Sequence, residues 1–183
     1  MLPLVFLPSA PTLLAGTGAC FQKRLSMLRG AGLTQLTVLE DSLPAESALD
    51  GMHFVFGAGF DDAGSEWLAQ AARQRGIPVN IEDVPRLCDF HVPAMVRRGR
   101  LLVTVSTNGA APALSSALRA WLEEAFGPEW AGRLEEVAAM RAALRAEGLS
   151  MGQVRRAVHE RLDQEGWLPP PRPAPAAEPI WNG

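Results

Sequence analysis

Three stretches carry residues whose types and spacing suit chemistry. In "TLLAGTGACF" (12–21), Gly16 and Gly18 are two of the glycines of a dinucleotide-binding turn. The first permits the tight bend, and the second lets a pyrophosphate approach the backbone where a helix begins. Glu40 and Asp41 follow 24 and 25 residues after Gly16, near the separation at which an acid meets ribose hydroxyls. Phe21 holds the third small-residue position, a large ring where helix and strand should touch. The turn is open to two readings, a cofactor site or an ordinary strand-turn-helix junction.

The second stretch is "VNIEDVPRLCDF" (79–90), where Asp83 stands just past a strand. Open α/β sheets present their ligands at that carboxyl edge, but an Asp there also suits capping of the short turn that follows. The third, "STNGAAP" (106–112), fits an anion-binding loop at a helix start or plain Asn-Gly turn chemistry. His53, His91 and His159 show no metal-ligand spacing, so no metal site is expected. Cys20 and Cys88 lie far apart without a C-x-x-C and read as two free thiols. Arg97, Arg98 and Arg100 form a cluster of the kind usually found on a solvated turn, as is the helix face of "VRRAVHERL".

The elements that must position these residues follow from hydrophobic period. Apolar runs at 12–16, 33–40, 53–59, 77–81 and 100–107 read as strands, and 20–32 and 65–76 as helices between them. Strands alternating with helices imply a Rossmann-like α/β fold, a parallel sheet with right-handed crossovers, over residues 1–111. Beyond Asn108 the spacing changes to three and four residues, predicting helices at 112–126, 129–148 and 150–166. Three helices bury little alone, so the region 112–168 is expected to pack on the first domain or on a second copy of the chain. Residues 169–183, rich in Pro and Ala, read as a disordered tail.

At 183 residues the chain is long enough for a core without disulfides. No apolar run reaches a membrane span and "MLPLVFLPSA" lacks the features of a signal peptide, which predicts a cytoplasmic protein with no membrane partner. A net charge of −3 gives no footprint for nucleic acid. All but one of the seventeen basic residues are Arg, a side chain that grips carboxylates in bidentate fashion.

Taken together, these segments resemble the precorrin-2 dehydrogenases, including the N-terminal module of siroheme synthases, over nearly the whole chain to about Leu168. The opening "LPLVFL" is similar to the family's L-P-hydrophobic-F start, and Lys23-Arg24 to its Arg-Lys pair. "VNIEDVPRLCDFHVPAMVRRGRLLVTVSTNGAAPAL" resembles the family's V-N-V-x-D-x-P-x-L-C-D-F…P-A…R-G-x-L…V-S-T-x-G…P-A-L run almost position for position. Departures fall on the cofactor side. Thr17 and Phe21 replace small residues, "GAGFDD" replaces A-A-T-D-D, and Asn108 stands where Gly is common.

The resemblance implies NAD-dependent oxidation of precorrin-2 to sirohydrochlorin by a homodimer, with insertion of Fe²⁺ as a further activity of some members. It implies cofactor contacts at Gly16, Thr17, Gly18, Ala19, Cys20, Glu40, Asp41, Ala58, Gly59 and Asn80. Asp83 matches the family's essential Asp and is expected to handle protons. Arg86, Arg97, Arg98, Ser106, Thr107, Asn108, Gly109 and Arg119 are expected to hold the carboxylate-ringed substrate. The departures leave a second expectation, a tetrapyrrole-binding protein without redox activity, in which Phe21 or Thr17 would fill the pyrophosphate position.

Overall fold

The computed structural model describes residues 5–169, so the Pro/Ala-rich tail from residue 170 lies outside the described residues. The chain forms two compact units. One runs to Pro93 and takes in Asn108–Ala110; the other comprises Ala94–Thr107 and the chain from Ala111 onward.

The first unit is a parallel sheet of strands β1 (Thr12–Gly16), β2 (Leu36–Glu40), β3 (Phe54–Ala58) and β4 (Val79–Ile81), in the order β2-β1-β3-β4. Every residue of β1 is buried, as expected of a parallel strand covered on both faces. Period-two alternation divides its side chains. Leu13 and Ala15, with Val55 of β3, join Leu68, Ala69 and Ala72 of helix α2 (Asp62–Gln74). Leu14, with Phe56 and Ala58, joins Phe21, Leu25 and Leu28 of helix α1 (Gly18–Gly30) on the other face. The first crossover places β2 on one side of β1, and β3 pairs on the other side. The strand order therefore reverses at the carboxyl ends of β1 and β3, where such folds bind ligands.

The second unit differs from the sequence expectation in one respect. The strand expected over 100–107 is β6 (Leu101–Val105), and it does not join the parallel sheet. It pairs antiparallel with β5 (Ala94–Arg98), a strand the sequence reading did not separate, through the two-residue turn Gly99-Arg100. So short a link cannot make a crossover, and Gly99 supplies the positive φ (+56°) that a tight hairpin needs at its first position. Helices α3 (Pro112–Ala125), α4 (Trp130–Ala146) and α5 (Met151–Gln164) follow, within two residues of the expected bounds. A capping box of Ser150 and Gln153 starts α5, and the Arg133 guanidinium lies 5.1 Å from both the Trp130 and Trp167 rings. Leu114, Leu118 and Trp121 stand exposed along α3, which buries no residue at all.

Candidate dinucleotide and acid–base site

The turn after β1 is held from two sides. Thr17 N–H donates to Ala58 O (2.9 Å), and Asp41 N–H donates to Gly16 O (2.9 Å), joining the exits of β3 and β2 to the glycine turn. The fit leaves no room for side chains on the strand side: a Cβ on Gly16 would lie 1.9 Å from Ala58 O, and one on Gly59 would lie 2.1 Å from Thr17 O. Gly59, one of the departures from the resemblance, therefore belongs to the same close contact as the turn itself. It also has φ +77°, which favours glycine.

Above the turn the situation is the opposite. A Cβ on Gly18 (φ +69°) would meet nothing within 4 Å. Thr17 is the N-cap of α1 but makes no side-chain cap, and the first turn holds no acid. The amides of a helix start without a cap await an acceptor, and an anion is the natural one. Helix α2, by contrast, is capped by its own Asp61, whose Oδ1 accepts from Gly64 N–H at 2.8 Å. Ala19 and Cys20 are exposed at the open end of α1. These groups fit the pyrophosphate of a dinucleotide.

Phe21 does not obstruct this cradle. It is 0% exposed and points beneath the helix into the cluster of Leu14, Phe56 and Ala58. The ring replaces the close helix–strand approach with a packed core, and the outer side of the turn is left open.

The acids expected to meet a ribose sit at the end of β2. Glu40 is in register with Gly16 and accepts from Gln22 Nε2. Asp41, in the left-handed conformation (φ +59°), accepts a hydrogen bond through Oδ1 from the Thr17 hydroxyl (2.5 Å). The hydroxyl of Thr17, the β-branched departure, thus fixes the neighbouring carboxylate.

Asp83 lies beyond β4 at the same sheet edge, two strand spacings from Gly16, or about 10 Å. It does not cap the turn that follows: the 3₁₀ turn Pro85–Leu87 starts from Val84 without any side-chain cap. The Asp83 side chain is exposed and enters no hydrogen bond or ion pair among the described residues, and its backbone is left-handed (φ +62°). Glu82 before it is nearly buried and pairs with equally buried Arg24 of α1 at 3.4 Å. The pair ties the Asp83 loop to the helix that starts at the glycine turn. In the sequence Arg24 stands out only through the Lys23-Arg24 pair of the resemblance and through its spacing with the inward-facing Phe21, Leu25 and Leu28.

Several expected contacts lie elsewhere. Asn80 is 5% exposed, inside β4; its Nδ2 donates to Phe90 O at 2.9 Å and ties a loop together, while its Oδ1 is buried without a hydrogen-bond partner among the described residues. Arg98 is not free to clamp a substrate carboxylate. It donates through Nε to Phe126 O (2.7 Å), Nη1 to Arg97 O (3.0 Å) and Nη2 to Glu123 O (3.1 Å), capping the end of α3. Arg86 pairs with Glu66 at 2.8 Å on the surface, and Arg119 pairs with Glu123 one helical turn away. Thr107 Oγ1 accepts from Ala111 N–H at 3.2 Å, and Asn108 and Gly109 both have positive φ, so "STNGAAP" is built as an Asn-Gly turn. Arg97, Arg98, Ser106, Thr107 and Arg119 all belong to the second unit. Among the described residues no cluster of three or more His, Cys, Asp or Glu could hold a metal, and no helix is long and apolar enough to cross a membrane.

Sheet order, open helix start and acid at the end of β2 define a dinucleotide-binding unit of the Rossmann class. Residues 9–94 match a family model described as putative NAD(P)-binding. Similar proteins include the siroheme synthases of Methylococcus capsulatus, 34% identical over 70% of this chain and 31% of that protein, and of Methylobacillus flagellatus, 33% identical over 84% and 37%. The siroheme synthase of Thiobacillus denitrificans is 38% identical over 70% of this chain and 26% of its own. The chain thus spans about a third of the length of the curated relatives it matches. A solved structure, the precorrin-2 dehydrogenase SirC, shares the fold with a TM-score of 0.73 at 18% identity, over 92% of this chain and 93% of that one. The chain belongs to the siroheme synthase family, of whose members it spans about a third, and its cofactor class is the nicotinamide dinucleotides.

Proposed function

We propose that this chain oxidises precorrin-2 to sirohydrochlorin with NAD⁺. The observation that carries the reading is the pairing, on one sheet edge, of an uncapped helix start with open space over Gly18 and an unpartnered carboxylate, Asp83, two strands away. The nicotinamide, when bound, supplies the hydride acceptor. Loss of a hydride from the macrocycle must be matched by loss of a proton, and Asp83, exposed and without a competing partner, accepts it. The same carboxylate suits removal of pyrrole protons as Fe²⁺ enters the product, the further activity implied by the resemblance.

NAD⁺ is preferred over NADP⁺ on electrostatic grounds. The Thr17 hydroxyl holds one oxygen of Asp41 beside the turn, leaving the other to accept from a ribose hydroxyl, and a 2′-phosphate would meet both Asp41 and Glu40. The non-redox alternative required Phe21 or Thr17 to fill the pyrophosphate position. The burial of Phe21 and the Thr17–Asp41 bond favour the dehydrogenase. The exposed stripe of Leu114, Leu118 and Trp121 on α3, a helix with no buried residue, supports assembly with a second copy through the helical unit.

The test is anaerobic turnover of enzymatically prepared precorrin-2 with NAD⁺, with NAD⁺ binding measured by calorimetry in the same preparation. The wild type should form NADH and sirohydrochlorin together. Asp83→Asn should lose at least about 100-fold in turnover while binding NAD⁺ normally. Turnover unchanged by that substitution removes Asp83 from the reaction, and absent NAD⁺ binding in the wild type returns the protein to the non-redox class.

A further inference from the structure

We propose that the loop carrying Asp83 is clamped by the side chains of Asn80, Cys88 and Asp89, and that Cys88 is a positioning residue for the Asp83 carboxylate. The inference rests on Asp83 being the proton acceptor.

Strand β4 is an edge strand, with its outward N–H and C=O groups unpaired by any further strand. The chain returns along that edge and fills it with side chains. Asp89 N–H donates to Val79 O (2.8 Å), and Asp89 Oδ2 accepts from Val79 N–H (3.1 Å). One step further, Cys88 Sγ accepts from Ile81 N–H (3.4 Å), and its thiol donates to Ile81 O (3.1 Å), with Val84 O a more distant acceptor at 3.5 Å. Arg73 holds the other oxygen of Asp89 at 2.7 and 2.9 Å, and this bonding raises the arginine's pKa above its ordinary value. Asn80 Nδ2 closes the set with bonds to Phe90 O (2.9 Å) and Cys88 Sγ (3.5 Å).

Ile81 and Val84 flank the turn at Asp83. A left-handed conformation is unfavourable for a residue other than glycine and persists only where the surroundings impose it. The backbone supplies Glu82 N–H to Gly57 O (2.9 Å) before it, the long Val84 N–H to Ile81 O bond (3.3 Å) across it and Leu87 N–H to Val84 O (3.0 Å) after it, and the Glu82 side chain pairs with Arg24. The thiol is the side chain that reaches both ends of the turn. Its bonds go to the backbone of β4 and the turn and to Asn80. Its effect on the reaction passes through the direction in which Asp83 points.

The test compares Cys88→Ala and Cys88→Ser with wild type and with Asp83→Asn, scoring kcat, KM for precorrin-2 and the Kd for NAD⁺. Cys88→Ala should lower kcat by about tenfold or more, with KM and the NAD⁺ Kd within about twofold, and Cys88→Ser, which keeps a donor and acceptor, should recover at least half of that loss on a logarithmic scale. Should the alanine variant not fold, Cys88→Val replaces it with the same expectation, because it retains volume without hydrogen bonding. Wild-type kcat in the folded variant, equal impairment by Ser and Ala, or a parallel loss of NAD⁺ affinity would overturn the clamp. If Asp83→Asn retains full turnover, the dehydrogenase assignment of Asp83 fails and the positioning role falls with it; full activity loss in Asp83→Asn beside an unaffected Cys88→Ala refutes the positioning role alone.

Discussion

Replacing Phe21 with Ala separates two accounts of the residue that departs most from a dinucleotide-binding turn. In the structure the ring is wholly buried beneath α1, with Leu14, Phe56 and Ala58 in the same cluster. Burial of a Phe side chain is worth about 2–3 kcal/mol, and the cavity left in a rigid core raises the typical loss for Phe→Ala to roughly 3–5 kcal/mol. Alanine regains about 0.5 kcal/mol as the better helix former, so a net loss of about 3.5 kcal/mol is expected. For a chain of this length that is a fall in the melting midpoint of about 10 °C. Because the ring lies under the helix and not over Gly18, NAD⁺ affinity should stay within about threefold, or 0.7 kcal/mol. Urea unfolding followed by far-UV circular dichroism gives the first quantity, and calorimetric titration of NAD⁺ gives the second. A stability loss below about 1 kcal/mol would mean that Phe21 is not a core residue. A tenfold gain in NAD⁺ affinity would mean that the ring blocks the pyrophosphate, and the dehydrogenase reading would lose its main support.

Two further substitutions probe the same edge. Asp41→Asn removes the charge nearest the expected ribose while keeping an acceptor for the Thr17 hydroxyl, so KM for NADP⁺ should fall by about tenfold with NAD⁺ little affected, measured by NADPH and NADH formation from precorrin-2. An unchanged cofactor ratio would place the ribose elsewhere. Gly59→Ala forces a Cβ to 2.1 Å from Thr17 O at φ +77°, so the turn must shift; a loss of about 3 kcal/mol in urea unfolding should accompany loss of NAD⁺ binding. Normal affinity in a folded Gly59→Ala protein would show that the Thr17–Gly59 contact does not shape the cradle.

The parallel sheet was legible because its signal is local: β1 runs over the expected residues 12–16, and the helices after Asn108 carry uninterrupted three- and four-residue spacing. The glycine turn, the acids after β2 and Asp83 were legible as well, since each occupies a fixed place after a strand. The hairpin of β5 and β6 was not, because Arg98-Gly99-Arg100 reads as a solvated basic turn, whereas its first arginine is consumed by carbonyls at the end of α3. Nor could residue type alone show that Asn80 is buried or that Phe21 lies beneath the helix. Both depend on which face of an element meets the core, and a β4 of three residues is too short to display a period.

The two halves of the site differ in how much change their geometry can absorb. At the glycine turn the cofactor would meet backbone amides and empty space, so the residue on the underside of the helix matters only through its volume, and Phe21 packs there with Phe56 and Leu14. The Asp83 loop has no such freedom. Asn80, Cys88 and Asp89 each make a bond that depends on the chemistry of that side chain: Cys88 and Asp89 satisfy backbone groups along the edge of β4, Asn80 ties the returning chain at Phe90, and a non-glycine residue is held in a left-handed turn between them. Replacing any one of them leaves a polar group of β4 or its loop without a partner, at a cost of about 1–3 kcal/mol where that group is buried. On the proposed reading, with Asp83 as the proton acceptor, this difference suits a sequence whose departures from the resemblance fall at Thr17, Phe21 and Gly59 and not within "VNIEDVPRLCDF".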